Sequence, residues 1–305
     1  MTASRASNLI LHSFTGNTIM NPMITEAEER YILDRAYIPE HSVGLMTRVS
    51  DGEPFLMEDC FCLRRGQWII VVGYPLGKSF DLDSFEAFVG KIKEELKPQR
   101  LSLMAPALPP SLIRSSEECE EDVYYTLDIR NTSTGKGLQR VVKKAREHLT
   151  VERSVDFTGA HRELTGECIE GVGMHPRVRR LFLRMPHYVG STRHSIILNA
   201  WDREGNLAAF YVVDLAPKDF ATYVIGCHSK RNYRAGASDL LVAEMISLSR
   251  AEDKEYIHLG LGVNRGIVQF KKKWGGVPTI RYEMCELSVK RPSLLDAIRA
   301  LSRAT

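Results

Sequence analysis

The chain has 305 residues, 44% of them hydrophobic and 26% charged, and a formal net charge of +3. That is ordinary globular composition, with length for two domains of common size. No apolar run approaches the roughly 20 residues that span a bilayer. Residues 1–17 hold one Arg and only the short apolar run Leu9 to Leu11, too weak for a secretory signal, so the expectation is a cytoplasmic protein with no membrane span. The six cysteines are scattered, and only Cys60 and Cys62 are close, on what alternation makes one face of a strand. Without paired C-x-x-C sets, neither a zinc site nor a disulfide framework is expected; buried free thiols are, and no bound metal.

In chain order, residues 1–20 show no period. Thr25 to Tyr37 predicts a helix, with Thr25 as cap and Glu28 at the capping-box position. Phe55 to Val72 predicts two short strands joined at Arg64 to Gln67, and Trp68 to Val72 is fully apolar. A turn at Gly73 to Gly77 leads to a helix over Ser84 to Leu96, capped by Asp81 or Asp83. Leu101 to Met104 predicts a strand whose extension Pro106, Pro109 and Pro110 forbid. Glu117 to Asp122 reads as an acidic surface run, and Val123 to Ile129 as a strand.

The second half repeats this order of elements without repeating the residues. Arg177, Arg179, Arg180 and Arg184 surround a helical run, Leu181 to Leu183. Ser195 to Asn199, Ala208 to Asp214 and Ala221 to Cys227 predict strands, Ala237 to Arg250 an amphipathic helix, and Tyr256 to Leu259 a buried strand. Gly260, Gly262 and Asn264 turn the chain into a short helix with Ile267, Val268 and Phe270 on its apolar side and Lys271, Lys272 and Lys273 at its end. Gly275-Gly276 stops it, Thr279 to Leu287 alternates as another strand, and Pro292 to Ser302 predicts a last amphipathic helix. Cations and glycines thus crowd one mouth, which could hold an anion. Charge divides unevenly as well: residues 1–134 carry 13 Lys and Arg against 20 Asp and Glu, and residues 135–305 carry 28 against 18. The basic half should attract a polyanion such as a nucleotide cofactor or a tRNA, unless the two halves simply attract each other.

Phe270-Lys-Lys-Lys-Trp-Gly-Gly276 between two strands resembles the FK-x-x-[aromatic]-G-G segment of FemABX-type transferases, which are tandem acyltransferase-fold proteins related to the GNAT N-acetyltransferases. Tyr125 to Ile129, the spacer, and Arg140, Lys143, Lys144 and Ala145 before Leu149 to Glu152 resemble that family's strand, spacer and R-x-x-[IV]-[RK]-[KR]-A helix. The resemblance spans roughly residues 123–287. It implies an α/β (α+β) fold of two GNAT-like domains, each a mixed sheet flanked by helices and splayed to make a groove. The expected boundaries are 1–134 for an acidic first domain, 135–291 for a basic acyltransferase domain, and 292–305 for a helix returning to the first.

The activity so implied is amide formation between an activated acyl donor, acyl-CoA or aminoacyl-tRNA, and an amine acceptor. Lys271 matches the family lysine thought to engage the charged donor, where a compact cation holds a phosphate or steadies an oxyanion; otherwise it is a solvated lysine at a helix end. Asn264 and Tyr223 are the other catalytic candidates, with Asn264 equally a left-handed turn residue. Arg231, Arg234, Ala235, Gly236 and Ala237 occupy the phosphate-cradling R-x-x-G-x-[GA] loop of single acetyltransferase domains. Arg234 stands where its first Gly belongs, so an ordinary loop is the competing reading. Arg265 and Phe270 are candidate substrate contacts, and Lys143 and Lys144 could track an RNA backbone or merely form a solvated face. His258 reads as structural, His228 as a possible acid or base, and His194 and Asp214 lack a partner. An acyl-CoA-dependent N-acyltransferase is the first alternative, and a non-catalytic RNA- or peptide-binding protein the second. No heptad run gives a coiled-coil arm, which argues against a peptidoglycan role.

Overall fold

Capping chemistry starts the first helix where the sequence puts it. Thr25 accepts from the Glu28 N–H while Glu28 reaches back to the Thr25 N–H at 2.9 Å, a complete capping box for α1 (Glu26–Arg35). The structure, a computed structural model, describes residues 24–130, 135–171 and 174–289. A 3-10 turn (Pro39–His41) and α2 (Val43–Ser50) follow. Then come β1 (Glu53–Met57), β2 (Cys60–Arg65), β3 (Trp68–Val72), α3 (Leu82–Leu96), β4 (Arg100–Ala105), α4 (Pro110–Arg114) and β5 (Glu118–Asp128). The basic half holds α5 (Lys136–Arg146), β6 (Leu149–Ser154), α6 (Gly159–Gly171), α7 (Pro176–Val189), β7 (Ser195–Asp202), β8 (Leu207–Asp214) and β9 (Phe220–His228). It closes with α8 (Ala237–Ala251), β10 (Tyr256–Leu261), α9 (Arg265–Lys273) and β11 (Val277–Ser288).

The described strands form one mixed sheet, in the order β1-β2-β3-β4-β11-β5-β10-β9-β8-β7-β6. Its centre is an exchange. β11, the last described strand, lies antiparallel between β4 and β5, and β5 in turn pairs with β10. Helices cover both faces. α3 buries Phe85, Phe88, Val89 and Ile92 against β2, β3 and β4, while Ile32 and Val43 of α1 and α2 pack on the opposite face with Tyr74 and Tyr124. In the basic half α5 and α8 cover one face, around Leu127, Tyr211 and Ile257, and α6 and α7 the other, around Phe210 and Val212. The sheet runs unbroken past the 134/135 boundary that the sequence suggests. Among the described residues no helix is long and apolar enough to cross a membrane.

Several expectations change. Residues 55–72 make three strands, because the chain reverses at Glu58 and Asp59, both at positive φ (47° and 69°). That turn belongs to glycine or asparagine by preference; here the Asp59 carboxylate is tied to the Tyr31 hydroxyl and the Gly77 N–H, both at 2.5 Å. The acidic run Glu117 to Asp122 is at the surface as expected, Glu117 to Glu121 being exposed, but from Glu118 on it is also the first half of central strand β5. Its charge is met by Arg177 of α7, 3.1 Å from Glu120 and 3.6 Å from Glu118 and Glu286. The short α4 and the weakly patterned α6 were not expected at all. The readings of residues 1–20 and of a helix over 292–302 lie outside the described residues.

The cysteines need a larger correction. Cys60 and Cys62 are buried free thiols on one strand face, as alternation requires. Cys119 and Cys285, however, form a disulfide. They sit opposite each other in the β5–β11 register with Cα atoms 4.2 Å apart, so strand pairing itself brings the sulfurs together. A bridge closing a loop this long restricts the unfolded chain strongly, by about 3–5 kcal/mol. Cys119→Ser should therefore lower the urea-unfolding free energy of oxidised protein by about that much, and the difference should vanish when both proteins are unfolded in reductant.

Candidate active site at a strand splay

Parallel strands β9 and β10 pair over only three residues, Phe220↔Tyr256 to Thr222↔His258. Beyond that point both continue, β9 bonded to β8 as far as His228 and β10 bonded to β5 as far as Leu261. They diverge because each keeps its outer partner, while Gly260 at φ 74° puts an irregularity into the β5–β10 ladder. The result is a V-shaped opening of the kind the family resemblance implies. α8 begins at one end of it and α9 follows the tip of β10.

The turn between β10 and α9 is strained. Val263, a β-branched residue, has φ 61° and is 66% exposed. The Asp122 carboxylate holds it there, accepting from the N–H groups of Gly262 (3.0 Å) and Val263 (2.8 Å). A side chain on Gly262 would strike the same carboxylate, 2.7 Å from an added Cβ. Asn264 is extended (φ −155°), so the left-handed turn residue is Val263 and not Asn264. Asn264 caps α9, its side-chain oxygen accepting from the Ile267 N–H at 3.0 Å.

α9 then turns Lys271 inward. Its side chain is 6% exposed, its Nζ donates to the Leu261 carbonyl, and it lies 5.5 Å from the Tyr125 ring centre. Burial drives its pKa down to about 8, against the opposing pull of Asp122. Lys273 and Trp274 have a different task. Both bond the buried Asp239 in the first turn of α8, with Nζ at 2.7 and 2.9 Å and Nε1 at 2.9 Å. Gly275 (φ 89°) and Gly276 complete a Schellman cap, donating to the carbonyls of Lys272 and Lys271. Gly276 also has no room for a Cβ, which would sit 2.8 Å from Leu259. The FKKKWGG segment is thus a clamp fixing one buried lysine. Lys272 stays exposed, and Phe270 and Val268 pack on the cluster that contains Leu259 and Trp274.

His258 faces the other side of the sheet. It is fully buried, its Nδ1 accepts from the Gly260 N–H, and its ring meets Tyr124 edge-on at 5.0 Å. Burial first, then Lys271 and His41, push its pKa down to about 3, so it is a neutral core imidazole. The Tyr124 hydroxyl in turn donates to Glu40 at 2.8 Å. Tyr223 lies on β9 where the strands part, packed edge-on against Tyr211, and burial raises its phenol well above the ordinary value. Arg265 is exposed in the first turn of α9.

The loop between β9 and α8 is internally engaged. Glu167 of α6 accepts from the N–H groups of Lys230 and Arg231 and from the Ser229 hydroxyl. These bonds outweigh burial and hold its carboxyl below the usual range. The Arg234 guanidinium bonds Asp202 at 2.7 Å and Glu204 at 3.1 Å. Ala235 is exposed, Gly236 (φ 80°) is the N-cap of α8, and Ala237 is buried in its first turn. A Cβ on Gly236 would meet Ala145 and Val141 of α5 at 3.1 and 3.3 Å, so α5 leans on the N-terminus of α8. Arg231 to Ala237 therefore sit together, with their polar groups already partnered in part, and α8 ties this loop to the Lys271 segment through Asp239. On α5, Lys136, Arg140, Lys143 and Lys144 recur at helical spacing along one exposed face. Among the described residues none of the four has an ion-pair or hydrogen-bond partner.

Asp122 is the site residue that sequence reading missed. Its bonds to Gly262 and Val263 cross 140 and 141 positions, and nothing local distinguishes it from the neighbouring acids.

No family model and no curated protein sequence matches this chain. Solved structures do. The chain is similar to FemX (TM-score 0.61, 11% identity, 85% of this chain and 96% of that one). It is also similar to the C-terminal domain of a putative lysylphosphatidylglycerol synthetase from Agrobacterium fabrum (0.57, 16%, 92% and 96%). A tandem GNAT protein from the clavulanic acid biosynthesis pathway matches too (0.50, 12%, 86% and 94%). At these identities the likeness is one of fold, and the fold is FemABX- and GNAT-like. It is the fold of acyl- and aminoacyl-transferases.

The burial of Lys271 has a measurable consequence. Its folded pKa lies below its ordinary 10.5, so the unfolded chain binds more protons between pH 8 and 10.5. Stability from this group therefore rises with pH across that window, by on the order of 3 kcal/mol. Lys271→Met should lack the rise when urea-unfolding free energies are compared at pH 8 and pH 10.5, whatever its offset.

Proposed function

We propose that this protein is an aminoacyl-transferase which moves an acyl group from aminoacyl-tRNA to an amine acceptor. The observation that carries the reading is the buried Lys271 beside the tip of β10, against Leu261 and Tyr125, in a helix held by the Asp239 contacts of Lys273 and Trp274 and by the Gly275-Gly276 cap. In this reading the acceptor nitrogen attacks the ester carbonyl carbon, the new C–N bond forms, the bond from that carbon to the ribose oxygen breaks, and the proton lost by the amine ends on the departing ribose hydroxyl. Lys271, cationic near neutral pH, steadies the oxyanion in a site where water competes little. Arg265 and Phe270 border the acceptor, and Asn264 and Tyr223 shape the opening. The two-domain division at 134/135 belongs to the same proposal, with residues 135–291 carrying the chemistry.

The choice of tRNA over acyl-CoA rests on how the cations are partnered. Arg234 is committed to Asp202 and Glu204, and Glu167 holds the N–H groups of Lys230 and Arg231, so the loop that would cradle a pyrophosphate is already engaged in part. Among the described residues the four cations of α5 have no such partner. The names of two fold relatives, FemX and a lysylphosphatidylglycerol synthetase, agree with aminoacyl transfer, whereas the tandem GNAT relative favours acyl-CoA.

Titration with aminoacyl-tRNA at two salt concentrations, and separately with acetyl-CoA, decides between them. The expected result is salt-dependent tRNA binding, with a salt slope about two units smaller in Lys143→Ala/Lys144→Ala. Saturable acetyl-CoA binding without tRNA binding would overturn the choice of donor. In transfer assays Lys271→Ala should lose at least about 100-fold in kcat with its fold intact. With an acceptor whose own amine titrates well below pH 7, wild-type kcat should fall as pH rises through about 8, where Lys271 loses its charge.

A further inference from the structure

Helix α7 carries a feature that the transfer reading does not use. Its sequence, Pro-Arg-Val-Arg-Arg-Leu-Phe-Leu-Arg-Met-Pro-His-Tyr-Val, contains four arginines and no acid. One side packs inward through Phe182, Met185, Tyr188 and Val189. Two of the arginines are neutralised: Arg177 by Glu118, Glu120 and Glu286, and Arg184 by Asp51. Arg179 and Arg180 are exposed and, among the described residues, have no ion-pair or hydrogen-bond partner. Beside them Leu183 is 54% exposed and Val178 39%. Met174, Pro176, Arg179, Arg180, Leu183 and Arg184 line a shallow concavity of about 330 Å³.

We infer that this outer face of α7 docks on the surface of an anionic lipid membrane. Charge complementarity names the partner. Two unpaired guanidiniums attract phosphate headgroups, at about 1 kcal/mol each near an anionic bilayer, and Leu183 between them enters the headgroup–acyl boundary. The contrast with α5 separates a bilayer from a nucleic acid. Lys136, Arg140, Lys143 and Lys144 form a cationic face with no large exposed apolar side chain, suited to phosphates alone. On α7 the cations flank the exposed Leu183, which a polynucleotide backbone would leave in water. The contact is peripheral, involves no spanning segment and does not depend on the transfer reading, because it is tested by binding and not by turnover.

The test is co-sedimentation of the full chain with sucrose-loaded vesicles of phosphatidylcholine alone and of phosphatidylcholine with phosphatidylglycerol in equal parts. Wild type should bind only the anionic vesicles, and 0.5 M salt should release most of it. Arg179→Glu/Arg180→Glu should lower the partition coefficient more than about tenfold, on the cost per cation just given. Leu183→Ser should lower it severalfold at low salt, which a purely ionic contact would not show. Both substitutions are at the surface, and unchanged thermal unfolding confirms that the variants fold. Lys143→Ala/Lys144→Ala should leave vesicle binding unchanged. No binding to anionic vesicles, equal binding by the α7 variants, or loss of tRNA affinity in place of lipid affinity in those variants would each overturn the inference.

Discussion

The pairing of β5 with β11 is the constraint on which the rest of this molecule depends. Nine register pairs join the two strands, from Val277↔Thr126 to Glu286↔Glu118, with β4 bonded to the far side of β11 and β10 to the far side of β5. This exchange makes one sheet of two sets of strands. It places Cys119 against Cys285, brings Glu118 and Glu286 under Arg177, and sets Tyr124 and Tyr125 beside His258 and Lys271. It also carries Asp122 to the strained turn at Val263. Shift β5 by one residue and every one of these side chains would change face.

The site inherits its rigidity from that arrangement. A lysine is rarely buried without compensation, and here the compensation is one carbonyl, one ring face and one nearby carboxylate. What keeps Lys271 in place is the geometry around it: a capped helix nine residues long, with Asn264 at its start, Asp239 gripping Lys273 and Trp274, and two glycines at its end. The strain at Val263 persists because Asp122 over-determines it. A splay between parallel strands supplies an opening without a missing strand.

Sequence patterns made much of this legible. The Thr25 capping box, the apolar face of α3, the core strand β3 and the strand–turn–helix–strand unit around Lys271 all follow from local rules. What stayed hidden was long-range. Glu118 to Glu121 are exposed as the sequence suggests, but that they begin a central strand was hidden, because the arginine that meets their charge and the strand β11 they pair with are more than 50 residues away. The Cys119–Cys285 bridge spans 166 residues, and spacing carries no trace of it. The turn at Glu58 and Asp59 was missed because neither residue is the glycine that such a backbone prefers; its warrant is a carboxylate tied to Tyr31 and Gly77. The phosphate-type loop was legible as degenerate, but the sequence gives no sign that Glu167 occupies it.

The exchange of strands also bears on how the chain comes off the ribosome. β4 is complete by Ala105, yet its inner neighbour β11 is not made until residues 277–288 emerge. For the time it takes to synthesise about 170 residues, at roughly 5–20 residues per second, β4 has β3 on one side and an unfilled edge on the other. Leu101 and Leu103, buried in the finished fold, sit on that edge. The nascent acidic half thus presents a temporary template for strand addition. Its safeguard is local: the prolines at 106, 109 and 110 that shorten the strand.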